Sequence, residues 1–257
     1  MAFEVFNRTE KKYIITEEIY RTLRSELEDR MHLDGFCRND EFYTICNIYY
    51  DTPDHQMIRQ SIEKPIYKEK LRLRSYGTVS SMDKVYLEIK KKFKGYVNKR
   101  RCSMQLEDAC NYLVSGKHPE GKRPERKRPS TEQVLREVDF ILQRYPDLAP
   151  ALYLSYDRIA LFGKEKGDFR ITFDTNIRTR RHELGLDKGN YGELLLPQGL
   201  WIMEAKANDA MPYWFSRLLS EHRIYPVNFS KYGEEYRRAL KRGELSKLPS
   251  GQNRMCV

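Results

Sequence analysis

Lys68, Lys70, Arg72 and Arg74 stand at every second position of one short stretch, and Glu88, Lys90 and Lys92 repeat the spacing in the next. In a β-strand successive side chains point to opposite faces, so each set shares one face while Leu71 and Leu73, or Leu87 and Ile89, share the other. Arg grips phosphate oxygens through paired N–H donors and Lys acts as a point charge, so a face of this composition suits an anion. For a single strand the alternative is an ordinary solvated face. The pattern recurs, however, at Arg8, Glu10 and Lys12; at Tyr156 and Arg158; at Arg170, Thr172 and Asp174; and at Glu204 and Lys206. Like charges directly opposite across strands are destabilising, so several such strands side by side make sense around an anion. The expected fold is therefore α+β: a closed β-barrel with a basic interior and helices packed against its apolar outer face.

The chain's size and charge agree with that reading. A chain of 257 residues buries a sizeable core, and 40% hydrophobic content with 12% aromatics describes an ordered globular protein. The net charge of +10 and pI near 9.2 call for an acidic partner: nucleic acid, anionic membrane or a polyphosphorylated small molecule. Five cysteines without CxxC spacing suggest neither a disulfide framework nor a zinc site, and free thiols in a reducing cytosol are expected. No signal-peptide core stands at the N-terminus, and no apolar run approaches the roughly 20 residues of a membrane span, so a soluble, cytoplasmic protein is expected. There is no GxxxxGK[ST] loop, which leaves nucleotide phosphates to side chains, and the five histidines lack metal-ligand spacing.

The elements that must position the charged rows follow in order. A strand over 6–15 leads to Thr16 as N-cap of a helix with Glu17 and Glu18 in its first turn and an apolar stripe Ile19, Leu23, Leu27, Met31. A strand from Tyr43 ends at Asp51-Thr52-Pro53, and the two basic strands come next. The cationic theme continues through Lys99 to Arg101, and residues 116–129 form a basic, proline-rich mobile loop. That loop lacks the aromatic residues that stack on bases, which argues against specific nucleic-acid binding. A capping box at Ser130 and Gln133 opens a helix that Pro146 stops. Strands are expected over 151–161, 169–175 and 200–206, a helix opened by Pro212, and a last helix over 231–242 stopped by Gly243. The domain is placed at 4–242, with a frayed tail over 243–257.

The ordered motifs Arg8-Thr9-Glu10-Lys11-Lys12-Tyr13, Tyr49-Tyr50-Asp51-Thr52-Pro53, Lys70-Leu71-Arg72-Leu73-Arg74-Ser75-Tyr76-Gly77, Leu87-Glu88-Ile89-Lys90, Ser155-Tyr156-Asp157-Arg158, Phe169 to Thr175, Met203-Glu204-Ala205-Lys206 and Phe229-Ser230-Lys231-Tyr232 span most of the chain. Their order resembles the VTC-type polyphosphate polymerase domain of the triphosphate tunnel metalloenzymes. The resemblance implies an antiparallel β-barrel tunnel that binds ATP, tripolyphosphate and inorganic polyphosphate with a divalent metal, Mn²⁺ or Mg²⁺. It implies that Arg72, Arg74, Lys90, Arg158, Arg170 and Lys231 act on the transferring phosphates. Lys12, Lys70, Lys92, Lys99, Tyr156, Lys206 and Ser230 are then substrate-binding residues, and Glu204 holds the metal. Glu10 and Glu88 are either further metal ligands or ion-pair partners of the tunnel cations. Two positions depart from the pattern. Hydrolytic tunnel enzymes usually open with Glu-x-Glu-x-Lys, where this chain has Arg8, and Asn228 stands where some members carry Lys. The implied reaction is transfer of the γ-phosphate of ATP to a growing chain, with an inorganic triphosphatase or a non-catalytic polyphosphate-binding module as alternatives.

Overall fold

A computed structural model describes residues 9–37, 42–63, 65–94, 96–119, 130–165 and 169–245. Arg8, positions 120–129 of the basic loop, the Ser130 side chain with its expected capping box, and the tail beyond 245 lie outside the described residues. The elements run β1 (Thr9–Thr16), α1 (Glu17–Leu27), β2 (Met31–Leu33), β3 (Tyr43–Asp51), α2 (Gln56–Ile62), β4 (Tyr67–Tyr76), β5 (Lys84–Phe93), β6 (Tyr96–Gln105), α3 (Leu106–Ser115), α4 (Ser130–Arg144), β7 (Ala149–Gly163), β8 (Arg170–Arg180), β9 (Glu193–Leu194), β10 (Leu200–Ala207), α5 (Tyr213–Glu221) and α6 (Lys231–Arg242). Hydrogen-bonded neighbours follow the order β1-β10-β8-β7-β3-β4-β5-β6, with β2 on β7 and β9 on β8. The class is α+β with an antiparallel sheet, as expected. Among the described residues no ladder joins the end strands β1 and β6, so these ladders do not close the expected barrel. No described helix is long and apolar enough to cross a membrane.

The chain divides into two compact units, the first made of Met1–Thr44, Tyr156–Ile177 and Leu194–Ser230. Its core follows from the alternation in β1, which buries Tyr13 and Ile15, and from the helical stripe Tyr20, Leu23 and Leu27. Thr16 caps α1 as expected, its Oγ1 accepting the Ile19 N–H at 3.3 Å. Met31 does not continue the helical stripe; α1 has already ended, and Met31 is buried as the first residue of β2. The Tyr20 ring stacks on Trp201 at 3.8 Å, and Trp201 Nε1 donates to Glu17 at 2.7 Å. Pro212 is the N-cap of α5 rather than its first residue, and Phe215, Leu218 and Leu219 turn into the core.

The second unit comprises Ile45–Ser155, Arg178–Glu193 and Lys231–Val257. Leu71, Leu73, Leu87 and Ile89 cover one sheet face with apolar surface, and Leu106, Leu113, Val134, Val138 and Ile141 from α3 and α4 bury it. Helices α2 and α3 have no counterpart in the sequence reading. Asp51 explains the first: its buried carboxylate accepts from the Thr52, Met57 and Ile58 N–H groups at 2.8, 2.8 and 3.0 Å, capping α2 from the preceding strand. Helix α6 spans the expected 231–242, and Gly243 follows it at φ +67°, which favours glycine. Cys37, Cys46 and Cys102 are free and buried, whereas Cys110 is disulfide-bonded and departs from the expected free thiols.

Candidate anion-binding site

In the second unit the register places like charges directly opposite one another. Lys70 faces Lys90 across β4 and β5, Lys90 faces Lys99 across β5 and β6, and Lys68 faces Lys92. A row of three lysines across three strands works against the ladder, and a polyanion laid over it reverses the sign of that interaction. Arg72 faces Glu88 and Arg74 faces Tyr86, so both arginines lie on the same face as the lysines.

Glu88 is the buried carboxylate at the centre of this face. Arg72 Nε donates to its Oε2 at 2.7 Å, Arg74 Nε lies 3.6 Å from the same oxygen, and Lys99 Nζ lies 3.0 Å from Oε1. Burial would raise the Glu88 pKa, but Arg72, Arg74 and Lys99 overcome it and hold the carboxyl at about 2. Glu88 is thus an ion-pair partner of these cations in this structure, and the contacts orient the arginines. Arg74 is fixed a second time, by a 3.0 Å bond to Asn47 Oδ1, while Asn47 Nδ2 donates to the Leu154 carbonyl at 3.0 Å. Lys231 starts α6, and the next residue, Tyr232, bonds Asp51 at 2.9 Å and carries the Lys70 ammonium 5.9 Å over its ring. Lys90 and Lys92 lie exposed on β5.

Tyr49 belongs to this face and was not among the expected site residues. Its hydroxyl accepts from Arg72 Nη1 at 3.0 Å, and its ring lies 4.9 Å from that of Tyr232. Burial by itself would raise the phenol's pKa; Arg72, Lys70 and Arg74 outweigh it and lower the value to about 8. Tyrosinate is therefore stabilised only as pH rises through about 8, and it contributes nothing at neutral pH or below. Absorbance titration near 295 nm is expected to show one tyrosine ionising about two units before the rest, absent in Tyr49→Phe and moved upward by bound tripolyphosphate. A titration in which Tyr49→Phe removes no early step refutes this.

The first unit carries its own charged face. Lys12 pairs in register with Glu204, and Glu204 with Thr172; Glu10 pairs with Lys206, and Lys206 with Arg170. Between β1 and β10 the result is a checkerboard of acid and base, unlike the lysine row of the second unit, while Lys206 and Arg170 set two bases opposite each other. Lys12 Nζ also donates to the Phe229 carbonyl at 3.1 Å, and Val227 N–H donates to the Lys12 carbonyl at 2.7 Å, which ties the segment leading to Ser230 to β1. Arg170 pairs with Asp34 at 3.1 Å. Arg158 lies over the Tyr156 ring at 5.0 Å and binds Asp174 through both ends of its fork, at 2.6 and 2.8 Å. Asp174 is fully buried, so removing it strands the Arg158 charge in a dry site. Asp174→Ala is expected to lower unfolding free energy by about 3–5 kcal/mol in urea titration; a loss below about 1 kcal/mol would show the pair to be dispensable.

Glu10 and Glu204 share both lysines of this face. Lys12 Nζ lies 3.7 Å from Glu10 and 3.9 Å from Glu204; Lys206 Nζ lies 3.7 Å from Glu10 and contacts Glu204 directly. Two carboxylates gathered around the same cations fit a hard divalent ion, which takes one or two carboxylates and completes its shell with phosphate and water. Among the described residues no group of three or more His, Cys, Asp or Glu forms an all-protein cage.

With the fold and both faces described, the family follows. The VTC domain model matches residues 7–240, and the chain belongs to the VTC domain family. A candidate adenylate cyclase from Bacillus halodurans shares the fold at a TM-score of 0.50 and 16% identity, covering 86% of this chain and 92% of its own. A candidate adenylyl cyclase from Hippeastrum, described as having a dominant triphosphatase activity, aligns with TM-score 0.45 and 12% identity over 93% of this chain and 97% of its own. A further candidate adenylate cyclase, from Vibrio parahaemolyticus, aligns with TM-score 0.44 and 13% identity over 91% and 97%. No curated protein matches the sequence.

Proposed function

We propose that the protein is a metal-dependent polyphosphate polymerase that moves the γ-phosphate of ATP onto the end of a polyphosphate chain and releases ADP. The observation that carries this reading is the row Lys70, Lys90, Lys99, set directly opposite one another across three strands beside Arg72 and Arg74. An extended polyanion is the ligand that turns such a row from a cost into an attraction. Membership of the VTC domain family supports the same substrate class. The tunnel enclosing the chain, a single catalytic domain over 4–242 and a cytoplasmic location belong to this proposal.

Phosphoryl transfer asks the protein chiefly for positioning and charge stabilisation. Arg72 is pre-set for this, because Glu88 and Tyr49 hold its guanidinium from two sides and little reorganisation is left for the reaction. The side chains assigned to neutralise the phosphoryl oxygens during transfer are Arg72, Arg74, Lys90, Lys231, Arg158 and Arg170. Lys70, Lys92 and Lys99, and Lys12, Lys206, Tyr156 and Ser230, bind the chain and the nucleotide phosphates. Glu204, with Glu10, would hold Mn²⁺ or Mg²⁺, which supplies further neutralisation of phosphate oxygens when bound. The attacking group, a terminal phosphate, is already ionised and needs no general base. Arg8 at the position of an acidic residue in hydrolytic tunnel enzymes fits that difference.

Purified protein incubated with ATP and Mn²⁺ is expected to form a polymer that stains as polyphosphate on a gel, with ADP in step. Orthophosphate without polymer identifies a triphosphatase, and tripolyphosphate binding without turnover identifies a binding module. Either result overturns the polymerase.

A further inference from the structure

The hairpin of β5 and β6 ends in an apolar tip. Phe93 pairs with Tyr96 at the end of the ladder, and Lys94 takes φ +46°, the left-handed geometry of tight hairpins. Phe93 is 52% exposed, Tyr96 64% and Val97 53%; Ile66, whose carbonyl accepts the Lys94 N–H at 2.9 Å, is 67% exposed. Single exposed apolar residues are ordinary, but these four gather at one hairpin end, Phe93 and Tyr96 on one face of the ladder and Val97 on the other.

The hairpin that carries these residues has charged side chains of one sign. Between Ile89 and Leu106 the sequence holds lysines and arginines and no Asp or Glu. Further back on the hairpin these cations are engaged: Lys91 and Arg100 pair with Glu137 of α4 at 2.8 and 3.2 Å, and Lys99 pairs with Glu88. Lys92, on the face of Val97, and Lys94 are exposed at the same hairpin end, and Lys94 Nζ lies 5.5 Å over Phe93.

We propose that this tip is a membrane-docking wedge that seats the second unit on an anionic lipid surface. Aromatic side chains favour the headgroup level of a bilayer, and lysines beside them add attraction to acidic lipids. A polyanion in solution is held by lysines alone and gives no reason for Phe93, Tyr96, Val97 and Ile66 to face water. A protein partner fits less well, since a hairpin tip offers far less than the roughly 1,000 Å² of a stable protein interface. Few side chains enter the lipid, so docking is reversible and needs both the apolar and the basic component. The hairpin is already formed, so docking costs no ordering of the chain. This inference is independent of the reaction proposed above.

The test is co-sedimentation of the full chain with phosphatidylcholine vesicles containing about 30 mol% phosphatidylserine at about 0.15 M salt, against phosphatidylcholine alone. Wild type is expected to bind the anionic vesicles and not the neutral ones. Phe93→Ser with Tyr96→Ser is expected to lower binding at least tenfold, roughly, at unchanged Tm and unchanged ATP turnover. Tyr96→Trp is expected to show tryptophan quenching by brominated anionic lipid beyond that of wild type. Retained binding in the double variant, equal binding to neutral vesicles, or no added quenching in Tyr96→Trp overturns the proposal. So does a concentration-dependent dimer that the double variant abolishes without vesicle binding in wild type, which would assign the tip to self-association.

Discussion

Replacing Arg72 by alanine is expected to lower ATP turnover at least a hundredfold, roughly, with the fold intact. The size follows from the role proposed for the guanidinium: a charge-assisted, forked contact to a transferring phosphoryl group contributes several kcal/mol, roughly, when water is scarce. The fold survives because Glu88, buried at the centre of the face, keeps Lys99 at 3.0 Å and Arg74 at 3.6 Å. Losing one of three cations around it costs stability on the order of 1–2 kcal/mol rather than the whole of an unpaired buried charge. Arg72→Lys retains the charge and loses the fork, so its turnover is expected between the two. A second readout separates loss of the contact from collapse of the face. Arg72 is the largest influence lowering the Tyr49 pKa, so the phenol that ionises at about 8 in wild type is expected to ionise later in Arg72→Ala. Near wild-type turnover in Arg72→Ala would end the assignment.

Period-two alternation made the charged rows legible, because a strand that is apolar on one face and basic on the other has a single register of faces. It placed Lys70, Arg72, Arg74, Glu88 and Lys90 on shared faces, where the ladders put them. It missed Tyr49 for a physical reason. From Ile45 to Tyr50 β3 is buried on both faces, so its sequence shows no alternation and neither side is marked as the one that sets Tyr49 beside Arg72. The pairing of Arg158 with Asp174 was equally out of reach: each falls in an alternating row, but only the register of neighbouring strands brings a particular acid to a particular base.

The helices divide in the same way. Helices α1 and α6 announce themselves by stripe and end signals, Thr16 at one start and Gly243 at one stop. Helix α2 spans seven residues, too few for a period, and its cap comes from Asp51 several residues upstream, with His55 in the left-handed region at φ +59°. Helix α3 does carry a stripe of Leu106, Ala109, Cys110 and Leu113, but Gln105 makes no side-chain cap bond and no glycine or proline separates it from β6. Periodicity without punctuation left the strand-to-helix change unmarked.

Glu204→Gln is expected to raise the Mn²⁺ or Mg²⁺ concentration needed for half-maximal turnover by about two orders of magnitude, the cost of losing a ligand from a set of one or two carboxylates. The substitution preserves the side chain's shape, and Glu10 continues to face Lys12 and Lys206 at 3.7 Å each. It also removes a negative charge from a face proposed to bind phosphate. Tripolyphosphate binding without metal should therefore hold or tighten while metal-supported turnover falls, and a purely structural loss would weaken both. The opposite signs make the two roles separable in one pair of titrations. A metal titration that matches wild type would leave Glu204 as the ion-pair partner of Lys206 and move the metal away from this face.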